Sequence, residues 1–394
     1  MKIAVIGTGT AGILSISHCL AYFPSNWQIY SIHDPRKPIL GIGESTSTQI
    51  PVSLFNSINF SLLEDADELD ATVKLGVKFC KWRKVDFYSH ILPIYYAMHF
   101  DNSKLKSFAF DRFKKLYNNF FEIEGKVESL NSTDDKAYLK VNDKSYEFDY
   151  VIDCGGYPED YSDYTFSDCI SVNSCLVHNI KEPAHWNYTY HTATPNGWMF
   201  GIPLRSRQGW GYLYNDSITR KEDAIKDFKE NYFADFVSNN IKEFNFKSYR
   251  ANTIFDGRIL KNGNRALFYE PIEAVSGYFY EQVLRYFCDY LTGQYHFPQT
   301  NHLMLQKAND IEIGISYIYQ GGSVYDTPFW KNARNISRNK LRKDRMWRDQ
   351  ISLITQMKKT NDRNLMSNGI GVFNLKSWLD FEYHMEYNTF CSSR

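Results

Sequence analysis

The chain has 394 residues, long enough to bury a sizeable core and to form one large domain or two interleaved ones. Its 45 basic and 45 acidic residues balance, so the overall charge shows no electrostatic footprint for nucleic acid or for an anionic membrane surface. The seven cysteines are scattered without a CxxC pair, which indicates neither a zinc site nor a disulfide framework and favours a reducing compartment.

The N-terminal residues predict a βαβ unit, in which Lys2–Ile6 is a buried strand, Thr10–Tyr22 a helix and Trp27–Ile32 a second strand. Residues 3–23 are apolar enough to resemble a secretory signal, but three glycines interrupt them and no small-residue cleavage site follows cleanly. No later stretch is long and apolar enough to span a bilayer. We therefore expect a soluble, cytoplasmic protein with no nucleic-acid or membrane partner.

Further along the chain, helical and alternating patterns succeed each other without an internal repeat or a low-complexity linker. The predicted elements are a helix near 47–58, a helix over Asp101–Phe121, a small antiparallel meander within Glu122–Cys154 that leads to a parallel strand Tyr150–Asp153, a β-rich region from about 165 to 215, and helices over about 278–292 and 299–319. Basic clusters such as Lys340–Arg345 are expected to form solvated helix faces.

These patterns predict an α/β fold: a Rossmann-like, doubly wound dinucleotide-binding domain, which the family resemblance described below implies is FAD-binding, with an inserted β-sheet and a helical, substrate-facing C-terminal part. We expect a discontinuous core over residues 1–345, with cofactor segments at about 1–60, 120–160 and 250–295 and the inserted sheet at about 165–215. Residues 299–394 are expected to be mainly helical.

A dinucleotide site is predicted where the first strand meets the first helix. Gly7, Gly9 and Gly12 match the fingerprint in which glycines permit a tight turn, close approach to a pyrophosphate and close packing of helix on strand. An acidic residue after the second strand should bind a ribose hydroxyl. Asp34 is the candidate, although His33 stands nearer the expected position and Asp34 could equally be a loop residue preceding a proline.

Four short stretches, taken together and in this order, are more specific than the glycines alone: Gly7-Thr-Gly-Thr-Ala-Gly12, Gly43-Glu-Ser-Thr46, Gly197-Trp-Met-Phe-Gly-Ile-Pro-Leu204 and Asp326-Thr-Pro-Phe-Trp330. They resemble the flavin-dependent tryptophan halogenases, and Asp153-Cys-Gly-Gly156 is similar to a later cofactor segment of that family. The resemblance favours FAD over NAD. The cofactor-binding residues that it implies are Gly7, Gly9, Thr10, Ala11, Gly12, Asp34, Gly43, Glu44, Ser45, Asp153, Gly155, Trp198, Ile202 and Pro203.

The resemblance also implies a chemistry, in which reduced FAD and oxygen convert halide into hypohalous acid that reaches a lysine beside an aromatic substrate. The segment Lys74-Leu-Gly-Val-Lys-Phe-Cys-Lys-Trp82 resembles the one that carries this lysine, so Lys74 is the catalytic candidate and Lys78 the second choice. Without the other motifs, both would be ordinary strand-face lysines. The companion carboxylate is expected in Glu270-Pro-Ile-Glu273, at Glu273.

Halide and substrate residues can be assigned by the same resemblance, with departures from the family pattern. Main-chain amides of Ser276 and Gly277 are expected to bind the halide, but the residues around them differ from the usual Ser-Thr-Gly, which leaves the identity of the halide open. His90, Leu92 and Phe200 are the substrate-side candidates. Leu92 stands where the family has an aromatic residue, and Phe200 replaces a tryptophan that keeps substrate away from the flavin.

The stretch between Trp82 and His99 is much shorter than in the tryptophan-specific enzymes, and the groups that hold the amino-acid backbone cannot be located. A small indole-like or phenolic substrate is therefore expected instead of free tryptophan, with bromide or iodide favoured over chloride. No NAD(P)H site is evident, so FADH2 is expected from a separate flavin reductase. The alternatives are an FAD-dependent monooxygenase and a catalytically silent flavin-binding protein. Asp326–Trp330 is interpreted as a capped helix start with a structural role.

Overall fold

The computed structural model describes residues 1–38, 45–89, 96–231, 241–360 and 369–390. The chain divides into two compact units, each assembled from three separate segments. The first unit comprises Met1–Val73, Tyr96–Phe166 and Tyr249–Gln306, and the second comprises Lys74–Tyr95, Ser167–Ser248 and Lys307–Arg394.

The strands of the described residues are, in chain order, β1 (Lys2–Ile6), β2 (Gln28–His33), β3 (Thr72–Lys74), β4 (Val77–Cys80), β5 (Phe87–Ser89), β6 (Ala97–His99), β7 (Phe120–Glu124), β8 (Val127–Ser132), β9 (Ala137–Val141), β10 (Lys144–Phe148), β11 (Tyr150–Asp153), β12 (Tyr164–Phe166), β13 (Ser174–Ile180), β14 (Thr189–Thr194), β15 (Gly197–Pro203), β16 (Gln208–Tyr214), β17 (Lys242–Asn245), β18 (Tyr249–Ala251), β19 (Phe255–Asp256), β20 (Ile259–Lys261), β21 (Leu267–Phe268), β22 (Gly369–Ile370) and β23 (Phe373–Asn374).

The helices of the same residues are α1 (Thr10–Tyr22), α2 (Gln49–Ile58), α3 (Leu62–Asp65), α4 (Asn102–Leu116), α5 (Lys221–Asn231), α6 (Val275–Leu291), α7 (Phe297–Tyr319), α8 (Pro328–Lys343), α9 (Arg345–Thr360) and α10 (Leu375–His384). Short 3-10 turns cover Gly263–Arg265 and Ile272–Ala274. Among the described residues, no helix is long and apolar enough to cross a membrane.

The main sheet of the first unit has the strand order β19-β20-β11-β1-β2-β7. β1 pairs in parallel with β2 on one side and with β11 on the other, so the order of the strands reverses at β1. In open α/β sheets the crevice at the carboxyl ends of the strands at such a reversal is the usual ligand site. The α/β fold with a Rossmann-like nucleotide-binding sheet, predicted from the sequence, is thereby confirmed.

The structure corrects the predicted boundaries between α4 and β11. The helix predicted to continue to Phe121 ends at Leu116, and β7 is a parallel strand of the main sheet that pairs with β2. The antiparallel meander is confined to β8, β9 and β10. Phe120 and Phe121 satisfied a helical pattern and a strand pattern equally, and the pairing with β2 decides between them.

A contact between two stretches of backbone fixes α1 against β1. Gly7, directly after β1, has φ of +92°, which a residue with a side chain rarely adopts. A Cβ added to Gly12 in α1 would lie 2.0 Å from the carbonyl oxygen of Gly7. Both glycines are therefore required by geometry, and α1 begins directly above the carboxyl end of β1.

The main sheet of the second unit has the strand order β17-β13-β16-β15-β14-β4-β5. All seven residues of β15 are buried, and large side chains face glycines across its pairing with β16. Phe200 lies opposite Gly211, and Trp210 lies opposite Gly201. A Cβ on Gly211 would lie 2.2 Å from Cζ of Phe200, so the ring occupies the space that a second side chain would need.

The segment Asp326–Trp330 has a structural role in the second unit. Thr327, and not Asp326, is the N-cap residue of α8, its side chain makes no capping bond, and Pro328 takes the first helical position. Asp326 instead pairs with Lys331 and Arg334 one and two turns into the helix. The indole of Trp330 is buried and donates to the carbonyl of Thr194 over 2.7 Å, which links α8 to the end of β14.

The pairing of Phe200 with Gly211 gives a stability prediction. Gly211→Ala should lower the free energy of unfolding by about 1–3 kcal/mol, because the added methyl group overpacks the Phe200 ring. Urea titration of the variant measures the change. Gly369→Ala is the matched control, since a Cβ there meets nothing within 4 Å. Adding Phe200→Leu to Gly211→Ala should recover part of the loss, and a double variant no more stable than Gly211→Ala would contradict this account.

Candidate active site

The carboxyl ends of three parallel strands bring the predicted cofactor segments of the first unit together. The Gly7 amide donates to the carbonyl of Ile32 at the end of β2, and the Cys154 amide donates to the carbonyl of Ile6 at the end of β1. Ile6 and Asp153 are paired residues of β1 and β11. The glycine turn after β1, the loop after β2 and the Cys154-Gly155-Gly156 turn after β11 therefore share one edge of the sheet.

The N-terminus of α1 forms an open cradle at this edge. Gly9 is the N-cap residue with φ of −68°, and no side chain caps the helix. A Cβ on Gly9 would meet no atom of the described residues within 4 Å, so space lies between this backbone and that part of the protein. The first amides of a helix have no intrahelical acceptor and carry a partial positive charge. Thr10 and Ala11 supply two of them, and the Thr10 hydroxyl donates to Asn102. An anionic pyrophosphate fits this cradle.

Asp34 lies one residue past β2, where the sequence places a ribose-binding carboxylate, and it is engaged by its own loop. The Arg36 guanidinium donates to both carboxylate oxygens over 2.9 Å. This bond lowers the pKa of Asp34 to about 2. Each carboxylate oxygen can accept two hydrogen bonds, so the bonds from Arg36 leave acceptor sites for a ribose hydroxyl. A ribose contact by Asp34 remains a prediction.

His33, the last residue of β2, is buried within a cluster of charged groups. Its Nε2 lies 2.7 Å from the Lys106 ammonium, and Glu122 and Glu124 approach to 3.7 and 3.8 Å. Burial and Lys106 lower the pKa of His33 despite the two carboxylates. The Lys106 ammonium has no acceptor, so Nε2 of His33 accepts the hydrogen bond between them.

The turn after β11 joins the predicted Asp153 and Gly155 to three residues that were not predicted from the sequence: Arg265, Asn262 and Gly263. One oxygen of Asp153 accepts the Gly155 amide over 2.9 Å, and Arg265 lies 3.2 Å from the carboxylate. Asn262 follows β20 at the same edge and is fully buried. Gly263 approaches α1 so closely that its Cβ would lie 2.6 Å from that of Ala11. The Asn262-Gly263 dipeptide after a short strand was the available signal.

The Gly43–Thr46 segment is only partly described. Gly43 and Glu44 lie outside the described residues. Ser45 forms an isolated bridge with His99, and Thr46 both donates to and accepts from the backbone of Met98, over 2.8 and 2.9 Å. The end of the segment is thereby held against β6 within the first unit.

Lys74 and Lys78 of the second unit have different environments. Lys74 ends β3 and is only 5% exposed. Lys78 lies in β4, and its ammonium is 5.7–5.9 Å from the rings of Tyr88, Tyr188 and Tyr190. Burial opposes the charged form of Lys78, but the surrounding groups raise its pKa. Lys78 is therefore held as a cation among three tyrosine rings, with the Asp86 carboxylate 3.9 Å from its ammonium.

Glu273, in the first unit, lies in a strained turn at the start of α6. It has φ of +60° and Ala274 has φ of +53°, although neither is glycine. Such conformations cost of order 1–3 kcal/mol each and cluster at functional sites. Glu273 is 9% exposed, and the turn directs the chain into the first helical residue, Val275.

The predicted halide residues occupy the first turn of α6, where Ser276 and Gly277 follow Val275. Their amides belong to the uncapped N-terminus of the helix, which favours an anion. Gly277 has a packing reason as well, because a Cβ there would lie 2.8 Å from Cδ1 of Ile50 in α2. Glu273 and the two amides thus lie within residues 273–277, at the entry to α6.

The aromatic candidates of the second unit lie on β15. Trp198, Phe200, Ile202 and Pro203 are all buried. The indole nitrogen of Trp198 is buried and has no hydrogen-bond partner among the described residues. His90 and Leu92 lie outside the described residues.

Comparison with known proteins supplies the family. The family model for tryptophan halogenase matches residues 2–92 and 86–387. The tryptophan 7-halogenase RebH of Lentzea aerocolonigenes is 20% identical over 419 residues, which covers 85% of this chain and 79% of the relative. The tryptophan 6-halogenase ThaL of Streptomyces albogriseolus is also 20% identical, with the same coverage.

Solved structures share the fold. A flavin-dependent halogenase from Xanthomonas campestris superposes with a TM-score of 0.79 at 18% identity, covering 98% of this chain and 88% of that one. A tryptophan 6-halogenase from Streptomyces toxytricini gives a TM-score of 0.78 at 16% identity, with coverage of 96% and 89%. Since the family model matches almost the whole chain, the protein belongs to the tryptophan halogenase family of FADH2-dependent oxidoreductases.

Proposed function

We propose that this protein uses reduced FAD, oxygen and a halide to halogenate a small indole-like or phenolic substrate. The observation that carries the proposal is the burial of Lys74, which is only 5% exposed. Removing an ammonium from water is costly, so a lysine buried this deeply is kept in place by compensating interactions. Lys74 also stands where the family resemblance places the catalytic lysine.

The cofactor part of the proposal rests on the cradle at the carboxyl edge of the first unit's main sheet. Gly7, Gly9 and Gly12 with the amides of α1 would hold the pyrophosphate of FAD, and the turn containing Gly155 would flank the nucleotide. When bound, reduced FAD supplies the two electrons with which oxygen is activated to oxidise the halide. We further propose that a separate flavin reductase provides FADH2, and that the first unit forms the cofactor domain.

The chemical roles of the chain's own groups follow from their charges. The Lys74 ammonium donates a hydrogen bond to the oxygen of hypohalous acid and makes the halogen more electrophilic. The aromatic ring attacks the halogen, the bond between halogen and oxygen breaks, and the oxygen takes a proton from the Lys74 ammonium and leaves as water. Lys74 regains a proton from solvent, which also receives the ring proton from the carboxyl group that accepts it. Glu273 is assigned the ring proton lost as the new carbon–halogen bond forms. The amides of Ser276 and Gly277 hold the halide beforehand, with bromide or iodide favoured over chloride.

Direct oxygenation of the substrate is the second candidate, and the residue that favours it is Phe200. This side chain replaces the second tryptophan of the family motif and lacks its indole N–H. If Phe200 shields substrate from the flavin less well, oxygen is inserted and the product carries no halogen. The products of one assay therefore separate the two functions.

Lys74→Met is expected to reduce halogenation by at least about a hundredfold, because the cation that activates the halogen is lost. The assay supplies reduced FAD from a generic reductase, oxygen, bromide and a panel of indoles and phenols, and mass spectrometry detects the paired isotopes of bromine. FAD binding should be unchanged. Lys78→Met is the matched control, and its activity should stay near that of the unaltered protein.

If Lys78→Met abolishes the activity while Lys74→Met does not, the lysine assignment is wrong. Oxygenated products without bromine would instead establish the monooxygenase. A panel without any product, from protein that binds FAD and consumes FADH2 unproductively, would favour a silent flavin-binding protein.

Gly9→Ala should weaken FAD binding by at least about tenfold while leaving the fold intact. The new Cβ meets no atom within 4 Å in the part of the chain that the structure describes, and the φ of −68° suits alanine. It fills the space in which a pyrophosphate would approach the backbone. Titration of FAD fluorescence gives the affinity, and the Tm without FAD reports the fold. Unchanged affinity would place the pyrophosphate elsewhere.

A further inference from the structure

A groove between α8 and α9 in the second unit is lined by a concentration of positive charge. Its volume is about 650 Å³, within the range of about 300–1,000 Å³ typical of small-ligand sites. The cations that line it are Lys331, Arg334, Arg338, Arg342 and Arg348, and no carboxylate of the described residues lines it. We call this feature the α8–α9 groove.

The positive charge of the groove is much higher than the composition of the whole chain would predict. The chain has a formal net charge of zero, yet Lys331–Arg348 contains eight basic residues and one acidic residue, a net charge of +7. Lysine outnumbers arginine in the whole chain by 28 to 17, whereas the groove has four arginines and one lysine. Arginine is therefore selectively placed at this position.

The arginines of α8 form a regular row along the groove. Arg334, Arg338 and Arg342 follow each other at four-residue steps, so they share one helix face at intervals of about 6 Å along its axis. Arg338 and Arg342 are exposed. Their guanidinium groups present several donors towards one elongated space.

Only part of this charge is neutralised within the protein. Asp326 pairs with Lys331 and Arg334, and Arg338 donates to the carbonyl of Gln320 over 2.7 Å. Among the described residues, no carboxylate forms an ion pair with Arg338, Arg342 or Arg348. Three guanidinium groups thus keep their full charge beside the groove.

Lys340 shows that the row is distinct from the other cations of α8. The sequence predicts that this residue belongs to a solvated basic face, but the structure places it away from solvent, against Glu312 and Asp344 at 2.8 and 3.2 Å. Its charge is compensated by the structure, and it does not line the groove.

A second observation points to a ligand that accepts hydrogen bonds. Gln320 also lines the groove, and its side-chain nitrogen is buried without a hydrogen-bond partner among the described residues. An unsatisfied buried donor costs of order 1–3 kcal/mol. An anion bound beside Gln320 can supply the missing acceptor.

We propose that the α8–α9 groove binds a ligand carrying two or more linked phosphate groups, either a nucleoside di- or triphosphate or an inorganic oligophosphate. The planar guanidinium matches phosphate in a bidentate geometry that lysine does not provide, which explains the preference for arginine. The groove has the volume of a small-ligand site, and the row of cations can engage successive phosphates.

Titration calorimetry in magnesium-free buffer measures the binding of tripolyphosphate to the protein. The protein is first saturated with FAD, so that the proposed pyrophosphate cradle is already filled. The proposal does not depend on halogenation, so a protein inactive in every halogenation assay could still bind. Saturable binding is expected, weakening as salt is added because the charges are solvent-accessible. Arg338→Gln with Arg342→Gln should weaken it by at least about tenfold.

Lys343→Gln with Arg345→Gln is the matched control, because it removes the same number of charges from exposed residues that do not line the groove. Affinity in this control should stay within about twofold of the unaltered protein. Arg348→Gln should independently weaken the binding of tripolyphosphate. Among the described residues no hydrogen bond involves the Arg348 side chain, so this substitution breaks no such bond within the protein. It keeps the test decisive if the double variant fails to fold.

Parallel titrations with ATP, adenosine and a glutamate peptide identify the source of the phosphate chemistry. Tighter binding of ATP than of tripolyphosphate would identify a nucleotide, and equal or weaker binding an inorganic oligophosphate. Adenosine should not bind. The proposal is overturned if tripolyphosphate shows no saturable binding, if the control pair weakens it as much as the groove pair, or if only the glutamate peptide binds, which would make the groove a surface for an acidic protein.

Discussion

The carboxyl edge of the first unit's main sheet, where the predicted cofactor segments meet, depends on a contact that only glycine permits. The carbonyl of Gly7 occupies the space beside Gly12 in which any side chain would have to begin. Because of this contact, α1 starts directly at the end of β1. Its uncapped amides therefore lie at the edge where three strands end. The cradle is thus a consequence of backbone packing, and the electrostatics of the helix N-terminus follow from it.

The candidate catalytic groups occupy unfavourable positions that the surrounding fold must sustain. Lys74 is almost fully buried, and Glu273 and Ala274 both have left-handed backbone angles at the entry to α6. The left-handed backbone angles lower stability by themselves, and a buried ammonium is tolerated only where other groups compensate for its lost hydration. Large cores in each unit offset these costs, for example the fully buried β15 with its alternation of aromatic residues and glycines across β16.

The sequence was sufficient for the features that depend on local rules. The βαβ opening followed from a short apolar strand, three glycines and a helical pattern, and the structure confirms each element. Other features depended on distant residues. Residues Phe120–Glu124 form the strand β7 because they pair with β2. The charge of Lys340 is compensated by Glu312, which lies on another helix. The Arg36 partner of Asp34 was nearby in sequence, but loop geometry decided which way it points.

The interrupted order of the segments affects how the protein can be made. In the main sheet of the first unit, β1 pairs with β11 and β11 with β20, so this sheet cannot be completed before Lys261 has been synthesised. The parallel pairing of β4 with β14 likewise awaits a strand more than a hundred residues later. Contacts so distant along the chain slow folding and leave strand edges exposed meanwhile. A nascent chain of this kind benefits from slow translation and from chaperones that cover open edges until the later segments emerge.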